Sequence, residues 1–586
     1  MSAPPPALPP HTRRPWALRL ALALLFLGFL SNLFYLYHNC PLDLSEDESH
    51  YWEWARHLDY GYYSKPPGIA WVIAAALRLG HLLHLTGDNS GAALMPVIRT
   101  PAVLFALCSG LLSLFLARRI FRDDRTALAV ILLSAAVPMF AVGSLLITID
   151  SPMYLGWAAT IYCLWRTIDT PRHAARWMLL AGFACAAGML FKPVLIAIPL
   201  CALIAAAWDR HARKAFFTRS ALAALIIVLL SQVPVILWNA HHHWVTFLHI
   251  GNQGFNTADQ KKSLLAPLSR LAEFVGGQAG GMGGLPFILL VCAVVYAIRT
   301  LRSDRRGLPP ADTAPHPADH WPLTTGRSTP YRFLLAFSLP LWLFYFLMNL
   351  WKSTEVNWPA ASYFTGMVLL AGIVTQLWPT HKNWRAWTTA TVIVGFLLTA
   401  FALNMQRLYP LLAPRLQPLL GTPAYEKSLL FPGKWDPAAK KLRGFNARAQ
   451  ALQSLREAFA HQTGQDPLII SGRYDLSSSL AFYLPGHPFV FSIMSQVGGR
   501  ESQYDLWPGL NQKSPDGQLL HAGQNALLVG NFDQAPFQSV LVPAFDRIDP
   551  PTNLPIYLHG ILLRSLQVRR AYNFKGLPAP AAPPHY

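Results

Sequence analysis

The chain has 586 residues, of which 53% are hydrophobic and only 13% are charged, and its formal net charge is +19. This balance excludes an ordinary water-soluble globular protein and indicates a chain with many membrane spans. A nucleic-acid-binding protein would cluster its basic residues on a soluble face, whereas here they lie in short stretches between apolar segments. No nucleic-acid partner is therefore expected, and membrane lipids are expected to surround much of the chain.

About eleven apolar segments approach the roughly 20-residue length of a bilayer-spanning helix. They predict a polytopic α-helical membrane protein with about eleven, and at most about thirteen, transmembrane helices. The segments are residues 16–37, 96–117, 126–147, 152–167, 176–191, 193–208, 221–238, 285–298, 331–350, 359–378 and 386–403. The first is interpreted as a retained helix, because it is long and lacks an obvious small-residue cleavage site.

Lysine and arginine are concentrated in alternate loops between these segments, and the positive-inside rule places such loops in the cytoplasm. The basic loops contain Arg13 and Arg14, then the arginines and lysines within 118–125, 166–176, 210–219 and 299–306, and finally Lys382 and Arg385. The rule predicts a multi-pass protein of the cell inner membrane with a cytoplasmic N-terminus. Loops 38–95 and 239–284, and everything after Leu403, are then extracytoplasmic.

By composition the chain divides into a membrane domain, residues 1–403, and a tail, residues 404–586. The tail has a helical pattern at 447–461 and strand-like runs at 467–471, 489–492, 526–529 and 539–542. This mixture predicts a soluble α/β domain.

The first outer loop combines acidic, aromatic and basic residues. It contains Asp47 and Glu48 near its start and Lys65 before two prolines. Clustered carboxylates can act as a general base or hold a cation, and a lysine can neutralise a phosphate. The alternative is a capped helix start, because Ser45 precedes the acidic run and both features favour a first helical turn. The residues alone leave both interpretations open.

This loop resembles the first outer loop of a known family. The pattern of Asp47-Glu48, Tyr51-Trp52 and Lys65-Pro66-Pro67 is similar to that of membrane glycosyltransferases of the GT-C superfamily. The similarity is greatest to the protein O-mannosyltransferase and aminoarabinose transferase group, glycosyltransferase families 39 and 83. The resemblance implies a catalytic acidic pair at Asp47 and Glu48.

Weaker similarities to the family continue along the chain, at 148–152, 190–192, 238–244 and 357–360. The first makes Asp150 a third catalytic candidate, although the inserted Ile149 departs from the family pattern. Lys192, His242, Lys352 and Glu355 are candidate residues of a cavity.

Each weaker element also has a structural interpretation, which stays open. Asn357 can cap the N-terminus of a helix. Lys192 and Lys352 can extend their ammonium groups to the membrane interface. The triplet His241 to His243 can lie at the solvent-exposed end of a loop. Two tail segments, 473–476 and 503–507, resemble the tails of bacterial members of the group, but the resemblance implies no functional role for them.

The resemblance implies transfer of a sugar from a polyprenyl-phosphate donor to a lipid, glycan or protein acceptor outside the cytoplasm, with inversion. Asp47 would be the general base, Glu48 would orient it, and Lys65 would bind the donor phosphate. Arg99, at the outer start of the second span, is added here as a second phosphate ligand; a positional anchor is the alternative.

No cofactor is required by this pattern. A divalent metal stays open because carboxylates converge on the outer face, but no complete ligand set is legible. The competing hypothesis is a transporter or flippase of envelope precursors, for which intramembrane charges and paired internal repeats would be expected. The acidic residues of this chain instead cluster in the outer loops.

Overall fold

The computed structural model describes residues 14–255, 265–305, 328–416, 431–436 and 439–580. The chain forms two compact units. The first unit comprises Met1–Tyr35, Ala102–Pro234 and Gly254–Ala400. The second comprises Leu36–Pro101, Val235–Gln253 and Phe401–Tyr586, so it joins the tail to parts of both predicted outer loops. The division at residue 403 stays a prediction, and Arg13 and Arg306 of the basic loops lie outside the described residues.

Most of the described chain is α-helical, and the helices are numbered here in chain order. They are α1 (Pro15–Phe34), α2 (Glu46–Arg56), α3 (Gly68–Leu82), α4 (Gly91–Phe121), α5 (Asp124–Ala135), α6 (Pro138–Gly143), α7 (Asp150–Asp169), α8 (Ala174–Met189), α9 (Ala197–Trp208), α10 (Arg210–Phe216), α11 (Arg219–Ser231), α12 (Val233–His241), α13 (Val245–Phe255), α14 (Ala266–Met282), α15 (Leu285–Arg305), α16 (Ser328–Ala336), α17 (Leu339–Met348), α18 (Ala360–Leu377), α19 (Lys382–Asn404), α20 (Tyr409–Leu416), α21 (Pro432–Trp435), α22 (Phe445–Thr463), α23 (Tyr474–Tyr483) and α24 (Ala535–Ala544).

Among the described residues, 7 helical segments are long and apolar enough to cross a membrane, judged by length and composition. They are Pro15–His38, Gly91–Phe121, Arg219–His241, Leu285–Ser303, Ser328–Met348, Ala360–Leu377 and Lys382–Pro414. Each coincides with one of the segments expected from the sequence. The remaining expected segments fall on α5 with α6, α7, α8 and α9. The total of about eleven therefore stays a prediction.

The expected span at 126–147 is interrupted. Helix α5 ends at Ala135, and Pro138 begins α6 at its first helical position. Proline has no backbone N–H to donate and disfavours helical geometry in the residue before it, so a helix usually ends there. This segment is two short helices in the first unit.

Helix α18 lies at the centre of the first unit. Nearly all of its residues are buried, and it contacts α5, α15 and α16. Helix α19 approaches the segment that follows α5 closely, and this contact requires glycine at one position of α19. A Cβ on Gly395 would lie 2.0 Å from the carbonyl oxygen of Ala136. A larger residue there would push the two segments apart.

The tail contains a mixed six-stranded sheet, which confirms the predicted α/β fold of this region. Its strands are β1 (Leu468–Ser471), β2 (Val490–Ser492), β3 (Ala526–Val529), β4 (Phe545–Ile548), β5 (Thr552–Leu558) and β6 (Ile561–Phe574). The order is β2-β1-β3-β6-β4, with β5 also paired to β6. Strands β1, β2 and β3 are parallel, whereas β6 is antiparallel to its three neighbours.

The predicted strand at 539–542 is wrong, because those residues belong to α24. The buried side chains Phe537, Val540, Leu541 and Ala544 recur with helical spacing and form one face. Pro536 stands in the first turn, where its missing N–H has no helical partner to lose. The short apolar run at 539–542 is thus part of a helical period.

Candidate functional site

Helix α2 begins with the capping box that the sequence indicates. The Ser45 hydroxyl accepts a hydrogen bond from the Glu48 backbone N–H at 3.2 Å, and the Glu48 carboxylate accepts one from the Ser45 N–H at 2.9 Å. The structural interpretation of this start is therefore confirmed. The helix is not solvated, however, because every residue from Glu48 to Trp54 is buried.

Glu48 is also half of a buried ion pair with Arg99. The Arg99 Nε donates to Glu48 Oε1 at 2.8 Å and its Nη2 donates to Oε2 at 2.7 Å. The same guanidinium donates to the backbone carbonyls of Leu42 and Asp43. Both side chains are completely buried. This bonding favours the anchor interpretation of Arg99 over contact with a donor phosphate.

Asp47 faces the other way. It stands in the first turn of α2 and is exposed, whereas its neighbour Glu48 is fully buried. A carboxylate is stabilised at a helix N-terminus by the partial positive charge of the free N–H groups. Its charge reaches Tyr474 of the tail, whose pKa is raised by burial and, to a smaller extent, by Asp47. Of the acidic pair, Asp47 is the one accessible to a substrate.

The turn that carries Lys65 is held against the end of α2 by Tyr62. The Tyr62 ring stacks on Trp54 with centroids 4.5 Å apart, and its hydroxyl donates to the carbonyls of Trp54 and His57 at 3.1 Å. The backbone N–H of Tyr62 also donates to the carbonyl of Lys65 at 3.1 Å. Lys65, which is half-buried, is thus tied to the same helix that carries Asp47.

The end of α12 packs on this turn. A Cβ on Gly61 would lie 2.6 Å from the Trp238 ring, so only glycine permits the contact. The Trp238 indole N–H donates to Asp59 Oδ2 at 2.7 Å. His242 stacks on Trp238 at 4.0 Å, and its Nδ1 lies 2.8 Å from the Trp238 carbonyl. This arrangement gives His242 a packing role.

The tail contributes side chains that the sequence analysis did not assign. Gln503 accepts a hydrogen bond from the Tyr63 backbone N–H at 2.7 Å, two residues before Lys65. The His50 ring lies 4.8 Å from the Tyr474 ring and 5.8 Å from the Tyr504 ring. Both of the tail segments that resemble bacterial relatives therefore lie against α2. The resemblance of these two segments to bacterial relatives was the one sequence feature that could have pointed to them as part of the site.

Two buried groups on the inner face of α2 have shifted pKa values. Burial raises the pKa of Glu53 to about 7, and the Arg56 guanidinium, 3.3 Å from its Oε1, opposes the shift. Burial, with a smaller effect of Arg500, lowers the pKa of His50 to about 3. His50 is therefore neutral at neutral pH and adds no positive charge beside Asp47.

The first unit brings together three of the weaker sequence elements. Lys192 Nζ lies 2.6 Å from Asp150 Oδ1, and the Asn357 amide donates to Asp150 Oδ2 at 2.7 Å. Asp150 begins α7, Lys192 follows α8, and Asn357 precedes α18. The capping interpretation of Asn357 is wrong, because the cap residue of α18 is Pro359 and Asn357 binds Asp150 instead. The snorkelling interpretation of Lys192 is likewise replaced by an ion pair.

The other predicted cavity residues of the first unit lie near this cluster in the chain. Glu355 and Asn357 line an open groove together with Pro138, Met139 and Gly280. Lys352 is half-buried just beyond the end of α17. In the described part of the chain, no group of three or more His, Cys, Asp or Glu side chains is placed so that it could hold a metal ion.

Comparison with known proteins finds related sequences and a related fold. Residues 64–238 match the family described as dolichyl-phosphate-mannose-protein mannosyltransferase. The lipid A galacturonosyltransferase RgtD of Rhizobium johnstonii is 24% identical over 79% of this chain and 82% of its own length. The undecaprenyl phosphate-alpha-4-amino-4-deoxy-L-arabinose arabinosyl transferase of Pseudomonas aeruginosa PAO1 is 32% identical, over 36% of this chain and 38% of its own length.

The fold is similar to that of a solved protein structure. ArnT from Cupriavidus metallidurans in the apo state superposes with a TM-score of 0.55 at 15% identity, covering 94% of this chain and 97% of that one. The same protein bound to undecaprenyl phosphate gives a TM-score of 0.51. Because the sequence relatives are named as transferases, they support a transferase and not the transporter alternative. By these matches the chain resembles membrane glycosyltransferases of the protein O-mannosyltransferase and aminoarabinose transferase group.

Proposed function

We propose that this protein transfers a sugar from a polyprenyl-phosphate donor to an acceptor of the cell envelope, with lipid A or another lipopolysaccharide component as the first candidate. The observation that carries the proposal is the exposed carboxylate of Asp47, held on a buried helix and tied through Tyr62 to the Lys65 turn. The name of the relative that aligns over most of both chains supplies the acceptor class.

In the proposed reaction an acceptor hydroxyl attacks the anomeric carbon of the donor sugar. Asp47 takes the hydroxyl proton as the new C–O bond forms. The bond between the anomeric carbon and the phosphate oxygen breaks, and the polyprenyl phosphate leaves with its electron pair. Lys65 stabilises the negative charge that grows on that phosphate. Attack opposite the leaving group inverts the anomeric centre.

Glu48 and Arg99 have positioning roles in this proposal. Their buried pair fixes the first turn of α2, and with it the direction of the Asp47 side chain. A lipid-linked donor also accounts for a site at the membrane interface without a nucleotide-binding fold. The proposal needs no metal.

The function is tested with purified protein in nanodiscs, a panel of synthetic polyprenyl-phosphate sugars and an extract of envelope lipids. We expect a glycosylated lipid and free polyprenyl phosphate in equal amounts, identified by mass spectrometry. A transporter, reconstituted in parallel in sealed vesicles, would move the donor across the membrane without forming either product. That result, with no product from any donor, would refute the proposal.

We also propose that the site and the tail are extracytoplasmic. The support is the arginine- and lysine-rich set of alternate loops, which the positive-inside rule assigns to the cytoplasm. Reporter fusions after Leu403 are expected to show export of the tail, with fusions in the 118–125 loop as cytoplasmic controls. Cytoplasmic reporter activity after Leu403 would reverse the orientation.

Asp150→Asn is expected to lower transfer about tenfold to a hundredfold, with the protein still folded. The change removes the charge that Lys192 and Asn357 contact at 2.6 and 2.7 Å. Hydrogen bonds to charged groups contribute about 1.5 to 3 kcal/mol, and the loss is expected to alter the position of Lys192. Initial transfer rates at equal protein concentration give the measurement.

Asp169→Asn is the matched control. Asp169 ends the same helix, α7, and also forms ion pairs, in its case with Arg119 and Arg122. It shares the cost of losing an ion pair but lies at the other end of the helix. Equal rates for the two variants would remove Asp150 from the functional site.

A further inference from the structure

Arg500 of the tail is an arginine that lacks a carboxylate partner among the described residues. It lies in the segment between β2 and β3. Its Nη2 is 3.4 Å from His249 Nε2, and its guanidinium carbon is 5.6 Å from the centre of the Tyr474 ring. Its Nε is buried and has no hydrogen-bond partner in the described part of the chain. Leaving a buried N–H donor of a charged group without an acceptor destabilises the protein, and a bound ligand that accepts the hydrogen bond removes that cost.

His249 does not balance this charge. The side chain is buried, and burial together with Arg500 and Lys65 lowers its pKa to about 3. A neutral imidazole that faces an arginine must accept at that nitrogen, because guanidinium has donors only. His249 therefore adds no charge of its own beside Arg500.

Lys65 acts on the same imidazole as Arg500. The Lys65 turn is held there, because Gln503, three residues after Arg500, binds the Tyr63 backbone at 2.7 Å. The Tyr63 ring in turn lies 5.3 Å from the His249 ring. Arg500 and Lys65 therefore both act on the His249 ring, and an anion bound beside that ring would interact favourably with each of them.

Asp47 acts on Tyr474, the residue whose ring lies under Arg500. Both Asp47 and Arg500 act on Tyr474, the first raising and the second lowering the pKa of its hydroxyl. An anion held by Arg500 and Lys65 would thus be near the proposed general base. The planar guanidinium offers N–H donors that match the spacing of two phosphate oxygens.

We propose that Arg500, Lys65 and His249 form a binding subsite for a substrate phosphate group, with Arg500 of the tail donating to the phosphate oxygens beside Asp47. The inference rests on the proposed function and deepens it. The phosphate has two sources, the polyprenyl-phosphate donor or a phosphate group on the acceptor.

The test compares wild type with Arg500→Gln in nanodiscs. One arm measures binding of polyprenyl phosphate alone, so it does not depend on any transfer. The other measures KM for an acceptor lipid with and without its phosphate groups. Loss of hydrogen bonds to a charged group predicts an effect of about tenfold to a hundredfold.

A donor subsite predicts weaker polyprenyl-phosphate binding by Arg500→Gln. An acceptor subsite predicts unchanged donor binding and a higher KM for the phosphorylated acceptor only. Arg456→Gln is the matched control, since Arg456 is also a tail arginine but pairs with Asp466. Wild-type values in both arms for Arg500→Gln would overturn the proposal.

Arg500→Lys keeps the test open if the glutamine variant does not fold. Lysine retains the charge but not the planar fork of donors, so a smaller loss in one of the two arms is expected. A folded Arg500→Lys protein that matches wild type in both arms would also overturn the subsite. Absence of transfer by wild type, with donor binding still sensitive to Arg500, would refute the proposed function and leave the subsite standing.

Discussion

Replacing Asp47 by asparagine is expected to lower single-turnover transfer about a hundredfold to ten-thousandfold, the usual range for loss of a general base. The amide keeps the size of the side chain and cannot take the acceptor proton. Because Asp47 is exposed and Glu48 carries the capping and buried contacts, the helix should remain folded. Donor affinity, measured in the same nanodiscs, is expected to stay close to the wild-type value.

Glu46→Gln is the control for this variant. Glu46 stands in the same first turn of α2, so its substitution removes the same charge from the same helix end. Its transfer rate is expected to stay within a few-fold of wild type. Near-normal turnover of Asp47→Asn, or equal losses in both variants, would contradict a general base at Asp47 and leave helix capping as the role of the acidic run.

Local signals predicted much of the fold. The capping box at Ser45 and Glu48 is a contact between residues three apart, so the sequence can indicate it directly. The seven apolar helical segments of sufficient length in the described part of the chain are likewise visible from hydropathy. The tail strands β1, β2 and β3 are short apolar runs, which composition also indicates.

The contacts that build the site are of another kind. Tyr63 and Gln503 are 440 positions apart in the chain, and their hydrogen bond cannot be inferred from any periodicity. Burial of α2 depends on the same long-range packing, since its Trp52 ring lies 5.0 Å from Phe482 of the tail. The sequence therefore predicted a capped helix start but not a buried helix.

The hairpin of β5 and β6 was missed for a local reason. Its two-residue turn is His559-Gly560, with φ of 49° and 79°. Positive φ at both positions is typical of a type I′ turn, for which Asn-Gly or Asp-Gly is the strong sequence signal. With histidine in the first position, the turn lacks that signal. The apolar sequence pattern of β6 is also interrupted by charged residues such as Arg564 and Arg569.

Removing Arg99 is expected to destabilise the protein by about 3 to 5 kcal/mol, the usual cost of breaking a buried ion pair on one side. Arg99→Met leaves the Glu48 carboxylate buried without its two guanidinium donors and leaves the carbonyls of Leu42 and Asp43 unsatisfied. The expected result is a large fall in thermal stability in detergent. Unfolding is followed by the fluorescence-detected loss of monodisperse protein.

The double variant Glu48→Met with Arg99→Met separates the two roles that the sequence left open for Arg99. Removing both charges leaves no unpaired ion in the interior, and apolar replacement of a buried pair is often neutral or stabilising. If Arg99 is an anchor, the double variant should be more stable than Arg99→Met and should bind polyprenyl phosphate with near wild-type affinity. If Arg99 instead binds the phosphate of the sugar donor, the affinity for polyprenyl phosphate should fall even though the double variant is folded. The completely buried, fully bonded guanidinium of Arg99 leads us to expect the first result.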